Sequence, residues 1–381
     1  MIDRRTMLSA AAIGGAMALP IVPSRALPPH ALAAEAERPL GLDGIARKRC
    51  LRFGTAVMAG YLEEPDYQHL LMRDCSVITP ESDFKWKWLE SKRGIYDYRQ
   101  ARRINAFADT HGMTIRGNTF VWNDDERLPA WIVAMEEDLR PAGGRKLVGL
   151  MRRHAHFLAK AFPHVNSWDC VSQALRPQDG TLADSVFTRI LGEAFLDIAF
   201  GLVNECMPWA KSVYNAGVSW EKDPRHRSGV LRLLDGALSR GVRIDALGIQ
   251  SHLGETLGRP HDEPGWHAFL QEIRGMGLEV LITELDCSDR LIASDDPATR
   301  DAQVAAHVKG YLDLTLDFTN VRTVVTRALT DRHSDMNRAA YPAESRRTDG
   351  LQIRGAPYGE DLRAKPMYDA IASALEHAPR R

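Results

Sequence analysis

The sequence predicts an α/β fold, a single (β/α)8 TIM barrel. Three observations carry this: short apolar runs alternate with longer amphipathic stretches from Leu51 onward, eight such runs can be counted, and the first lacks a phosphate-binding turn. The strand candidates are Leu51–Ala56, Val77–Thr79, Thr114–Val121, Ser167–Val171, Ala210–Tyr214, Ala246–Ile249, Leu278–Ile282 and Val321–Leu329. The unit from 245 to 284 is the clearest. Ala246-Leu247-Gly248-Ile249 reads as a strand, and Trp266, Phe269, Leu270 and Ile273 then recur at helical spacing. Gly275 and Gly277 punctuate before the chain becomes apolar again. An open doubly wound sheet usually carries a glycine-rich turn after its first strand, and Phe53-Gly54-Thr55-Ala56 offers none. The stretch from Asp286 to Asp301 reads as one long polar loop after the seventh strand.

The N-terminal residues have a different composition. Arg4 and Arg5 precede an apolar run from Met7 to Val22, and small residues follow at Ala31-Leu32-Ala33. This pattern predicts a twin-arginine-type signal over residues 1–33, a mature barrel domain over 34–381, and a periplasmic or secreted protein. Gly14, Gly15 and Pro20 interrupt the run, which falls short of the roughly 20 apolar residues of a spanning helix, so cleavage ranks above anchoring.

Composition excludes several function classes. Lys plus Arg number 49 against 50 for Asp plus Glu, with no long run of one sign, so the basic footprint of a nucleic-acid binder is missing. Cys50, Cys75, Cys170, Cys206 and Cys287 are scattered and lack the close spacing of a zinc or redox site, and most are expected to be buried thiols. No cofactor or metal is expected.

Barrel chemistry sits where strands end, at the C-terminal face. Ile78-Thr79-Pro80-Glu81, Trp168-Asp169-Cys170-Val171-Ser172-Gln173, Ile249-Gln250-Ser251-His252 and Leu281-Ile282-Thr283-Glu284-Leu285-Asp286 each close an apolar run with polar side chains. The fourth and seventh strands face one another across the mouth, the arrangement in which glycosidases hold paired carboxylates.

Five segments in order, Thr79–Trp86, Arg116–Asn123 with Pro129 and Trp131, Trp168–Leu175, Gly248–Leu253 and Ile282–Asp286, resemble the motifs of glycoside hydrolase family 10, the β-1,4-xylanase type. The resemblance runs from about Leu51 to Leu375. It implies that Glu284 is the nucleophile, that His252 hydrogen-bonds it, and that Gln250 and Asp286 form its polar support. It also implies that Glu81 and Lys85 bind sugar on the non-reducing side, walled by Trp122 and Trp131.

The departures are equally specific. Gln173 stands at the family's acid/base glutamate and Ser172 at the asparagine that holds the sugar 2-hydroxyl. Asn118 and Asn123 replace histidines, and Arg327 and Asp335 fall where two tryptophans cap the central subsite. By their places in the motifs Asn123, Ser172, Gln250 and Arg327 are still expected to line the substrate site. A retaining glycosidase uses two carboxyl groups about 5–5.5 Å apart. An amide has no proton of useful acidity, so the general acid contribution of about 10²–10⁴-fold is lost unless Asp124, Asp125, Glu126 or Asp179 reaches the position. Two readings follow: a retaining hydrolase of altered or weak activity on a β-linked polysaccharide or oligosaccharide, or a non-catalytic glycan-binding protein on the same barrel. The expected partner is the glycan alone, bound by a monomer, with no membrane contact after signal cleavage. Arg327, if unpaired with Asp331 or Asp335, predicts an acidic glycan. Trp168 and Trp209 are read as packing residues.

Overall fold

A computed structural model describes residues 40–381, so the signal assigned to residues 1–33 lies outside the described residues. The barrel strands are β1 (Arg52–Val57), β2 (Val77–Pro80), β3 (Thr114–Gly117), β4 (Ser167–Ser172), β5 (Lys211–Ala216), β6 (Ala246–Ile249), β7 (Glu279–Cys287) and β8 (Val321–Thr326). Each is parallel to its neighbour, and β8 pairs with β1 to close the cylinder, Arg52 opposite Thr323 and Thr55 opposite Thr326. After the strands come in turn the helices Pro65–Asp74, Arg99–Thr110, Arg145–Ala161, Ala194–Cys206, Pro224–Ser239, Glu263–Gly275, Pro297–Leu316 and Pro366–His377. Proline opens four of them, where its fixed φ suits the first turn and its missing N–H costs nothing. Asp223 and Asp296 cap two of those four by accepting the amides of Arg225 and Thr299.

The apolar periodicity has the expected consequence. Trp266, Phe269, Leu270 and Ile273 are all buried along the helix Glu263–Gly275, and Gly277 leaves it with φ 75°, a conformation that glycine adopts without a Cβ penalty. Phe53, Trp168, Tyr214 and Trp266 are completely inaccessible. Gly117 is required where β3 meets β4, because a Cβ there would lie 2.3 Å from the Trp168 ring.

Two boundaries and one packing assignment differ from expectation. The third strand is not continuous from 114 to 121: β3 stops at Gly117, and a short segment, Val121–Trp122, resumes the pairing against Val171 and Ser172. The polar stretch after the seventh strand is shorter, since β7 runs on to Cys287 and Pro297 starts a helix. Trp209 is half-exposed rather than packed, whereas Trp168 is fully buried.

Among the described residues no helix is long and apolar enough to cross a membrane. The five thiols are free, with Cys75, Cys170 and Cys287 buried, Cys206 half-buried and Cys50 exposed.

Two irregularities aim side chains into the mouth. On β4 an extra residue is accommodated between Asp169 and Val171, opposite the single step from Val213 to Tyr214. On β7 an extra residue falls between Ile282 and Leu285, opposite Val324 and Thr326 of β8. Such bulges bend a strand and redirect the side chains beyond them. Here they lie directly before Gln173 and around Glu284.

Candidate active site

Glu284 leaves β7 with only 12% of its side chain exposed. Asn215, at the end of β5, donates Nδ2 to Glu284 Oε1 at 3.1 Å and to the buried Asp169 at 3.3 Å, while its Oδ1 accepts from Thr283 Oγ1 at 2.9 Å. Asp169 in turn accepts from Arg116 at 2.5 Å and Asn118 at 2.9 Å. A polar chain thus crosses the barrel from β3 through β4 and β5 to β7. Burial pushes the Asp169 carboxyl up to about 6 despite Arg116.

Three basic side chains face Glu284. Arg327 Nη1 stands 3.7 Å from Oε2, His252 Nε2 stands 3.8 Å from it, and Lys85 adds a further positive field. Burial alone would raise the carboxyl, but the attraction of Arg327, His252 and Lys85, with the Asn215 hydrogen bond, holds it below the ordinary glutamate range. It is therefore ionised at neutral pH. His252 is half-exposed, and its Nδ1 lies 3.0 Å from both oxygens of Asp286. Burial opposes its charge, but Asp286 and Glu284 together lift its pKa above the usual histidine value. The sequence expectation that His252 hydrogen-bonds the nucleophile is corrected: 3.8 Å is an ion-pair distance, and its hydrogen bond goes to Asp286.

Gln173 sits just past β4 with φ 53°, a left-handed conformation uncommon for a side-chain-bearing residue and often found at functional sites. Its backbone N–H donates to the Asn215 carbonyl at 2.9 Å, so one residue of β5 fixes both mouth positions. Its amide is oriented without ambiguity. Trp122 Nε1, which can only donate, bonds Oε1 at 3.0 Å, and Nε2 donates to Gln250 Oε1 at 2.9 Å. Gln250 was expected in the support of Glu284. It belongs to Gln173 instead.

Three of the four candidate substitute acids are engaged elsewhere, and the fourth, Glu126, is exposed. Asp125 pairs with Arg189 at 2.6 Å and accepts the Val186 amide. Asp179 is bonded by Thr181 and Arg176, which hold it at about 2, so it carries no proton to give near neutrality. Asp124 caps its own turn by accepting the Glu126 amide.

Other sequence-assigned residues divide into three groups. Lys85 and Trp122 face the mouth together, with Nζ 4.7 Å above the indole. Burial, reinforced by Arg327, brings Lys85 down to about 8. Trp131 donates to the Glu90 carbonyl at 2.8 Å and meets Trp86 edge-on, so its indole N–H is used inside the protein. Asn123 is a correction: at 3% exposure it donates to the carbonyls of Ala174 and Ala183 and accepts from Ser185, tying a loop rather than facing a ligand. Ser172 is likewise buried, at 1% exposure, leaving little surface for a sugar hydroxyl.

Arg327 is also a correction. Its Nε and Nη2 both go to Asp335, at 3.1 and 2.6 Å, so the free guanidinium that predicted an acidic glycan is not there. Asp331 pairs with Lys365 instead, at 2.7 Å. Two residues escaped the sequence reading. Asn215 lies at a strand end, where functional side chains are expected, but one residue beyond the boundary assigned to that strand. Arg338 grips Glu81 from a loop, and no periodicity points to it.

A family model, Glycosyl hydrolase family 10, matches residues 41–374. Endo-1,4-beta-xylanase 3 of Hypocrea jecorina is 32% identical over 244 residues, which are 64% of this chain and 66% of that one, just under two thirds of the relative's length. Endo-1,4-beta-xylanase 2 of Aureobasidium pullulans is 28% identical over 313 residues, 80% of each chain. The crystal structure of native xylanase 10B from Thermotoga maritima has a TM-score of 0.77 at 24% identity, covering 88% of this chain and 98% of that one, a likeness of fold. With the matched span taking in all eight barrel strands and both mouth positions, the chain belongs to glycosyl hydrolase family 10.

Proposed function

We propose that this protein is a retaining β-glycoside hydrolase of the endo-1,4-β-xylanase type in which Glu284 is the nucleophile and Gln173 stands in place of the acid/base carboxylate. The observation that carries the reading is the contrast at the mouth. Glu284 is kept ionised by Arg327, His252 and Lys85, while the opposite position holds an amide whose oxygen and nitrogen are both engaged. Attack on an anomeric carbon by Glu284 needs only the ionised carboxylate. Departure of a sugar hydroxyl needs a proton that Gln173 cannot give, so formation of the glycosyl-enzyme is confined to glycosides whose leaving group departs as a stable anion. Its hydrolysis, with no base at Gln173, passes the proton of the attacking water to solvent and is slow, so turnover is weak on polysaccharide. Export is part of the same reading, supported by the paired arginines and apolar run of residues 1–33.

The test is covalent trapping. An activated 2-deoxy-2-fluoro β-xyloside is expected to add one sugar mass to the protein on the peptide that contains Glu284. Labelling of another residue would overturn the assignment. The engagement of Asp125 and Asp179 by arginines is the observation that favours the alternative, a glycan-binding protein without turnover. That alternative predicts no labelling together with calorimetric binding of xylo-oligosaccharides.

A further inference from the structure

The mouth is divided by the line from Gln173 on β4 to Glu284 on β7, and β8, β1 and β2 lie on one side of it. On that side, which the family resemblance of Glu81 and Lys85 assigns to the non-reducing sugars, the carboxylate of Glu81 is the polar group offered just past β2. A sugar hydroxyl needs a free lone pair and access to it. Glu81 keeps acceptor positions beyond those the Arg338 fork takes, but it offers almost no access to them. Its side chain is 5% exposed, and Arg338 donates Nη1 to Oε1 at 2.6 Å and Nη2 to Oε2 at 2.8 Å, the parallel fork that matches a carboxylate best. Arg327 adds a further cation 3.6 Å from Oε1.

Arg338 is itself held from several elements. It donates to the His333 carbonyl at 3.0 Å and to the Tyr61 hydroxyl, and its guanidinium lies 5.8 Å from the Tyr61 ring centre. The His333 ring packs on Tyr61 at 4.2 Å between centres, and its Nε2 lies 3.0 Å from Glu64. The arrangement therefore joins the turn after β1, the end of β2 and the loop after β8. Arg327 touches Glu284 and Glu81 at once, at 3.7 and 3.6 Å, so the two carboxylates are one guanidinium apart. A sugar that reaches for Glu81 has to displace this ion pair, which leaves a buried carboxylate uncompensated.

We propose that Arg338 closes the non-reducing end of the cleft, so that the site takes a single sugar unit on that side of the scissile bond and acts on chain ends or monosaccharide glycosides rather than inside a chain. The proposal rests on the assignment of Glu284 as nucleophile, but its test does not need turnover. Phenyl 1-thio-β-xyloside and phenyl 1-thio-β-xylobioside resist hydrolysis, and their shared phenyl group fixes which end the added sugar extends from. Calorimetry on the full protein is expected to give Kd values within about threefold of each other. Arg338→Ala, with Arg338→Met as the variant that keeps the side-chain stem packed, is expected to bind the xylobioside at least about tenfold tighter than the xyloside. The proposal is overturned if the wild type already gains tenfold from the second sugar. It is overturned equally if the folded variants keep the wild-type ratio, or if no protein binds either ligand. Loss of fluorosugar labelling at Glu284 would refute the proposed function, while the binding ratios would still decide the role of Arg338.

Discussion

The β7 half of the barrel mouth and the β4 half are built from opposite materials. Around Glu284 stand Arg327, His252, Lys85 and, behind the histidine, Asp286, all ionisable and all within reach of one another's fields. Around Gln173 stand Trp122, Gln250 and the Asn215 backbone, all neutral. One half shifts pKa values and the other fixes orientation. The neutral half is as well ordered as the charged one, because both polar atoms of the Gln173 amide have a partner with good geometry.

The comparison is sharpened most by removing the charged half. Glu284→Gln is expected to lower turnover of a dinitrophenyl β-xyloside by more than about 10³-fold, as loss of a nucleophile generally does. Initial-rate assays that found activity retained would place the nucleophile elsewhere. Converting the neutral half comes next. Gln173→Glu is expected to raise kcat/KM for unactivated β-1,4-xylo-oligosaccharides by up to about 10²–10⁴-fold, with little gain in kcat/KM on the dinitrophenyl substrate. The kcat of that substrate rises instead, because the glutamate also activates water on the glycosyl-enzyme. An equal gain in kcat/KM on both substrates would show that proton donation was not what was missing.

Arg327→Met tests how far the charged half depends on one cation. The substitution leaves Asp335, Glu81 and Glu284 with a shared partner removed, so urea unfolding at pH 7 is expected to show a loss of about 3–5 kcal/mol. The pH dependence has a definite sign. Burial raises the carboxyls of Glu284 and Asp335, but Arg327 contributes to holding both below their ordinary values of 4.5 and 3.8. The stabilisation is therefore full above those values and lost as pH falls through the lower folded-state values, so the variant and the wild type should converge in acid. A constant difference down to pH 2 would show that packing, not charge, was lost.

The smallest expected effect belongs to Lys85. Burial brings its ammonium down to about 8, so turnover of the aryl substrate is expected to fall severalfold as pH rises through that value. Lys85→Arg should remove this alkaline limb, since a guanidinium stays charged. Folding stability moves the other way between 8 and 10.5, because the unfolded chain still binds the proton there, so thermal melts separate the two effects.

The parts of the fold that were legible in the sequence rest on periodicity, and the roles of the site residues on the motif resemblance. Leu281-Ile282-Thr283-Glu284 announces a buried strand ending in a carboxylate, and the helix of Trp266 to Ile273 announces its own buried face. The parts that stayed hidden depend on local backbone turns and on distant loops. Gln250 lies between Ile249 and a Ser251 at φ 61°, so strand alternation no longer dictates where its side chain points, and it turned to Gln173. Asn123 looked like a ligand residue by its place in a motif, yet its donors and acceptor close a loop against Ala183 and Ser185. Arg338 meets a partner 257 positions earlier in the chain from a loop with no regular pattern, which no window of sequence reveals.

The amide clamp at Gln173 also bears on how this chain can change. A protonated glutamate has the same shape as glutamine and meets the same two contacts: its carbonyl oxygen accepts from Trp122, and its hydroxyl donates to Gln250 where the amide N–H did. One base separates the codons of the two residues. The protein therefore sits a single mutational step from an acid in a ready-made mould, and a glutamic acid at this position needs no compensating change in the two side chains that hold it.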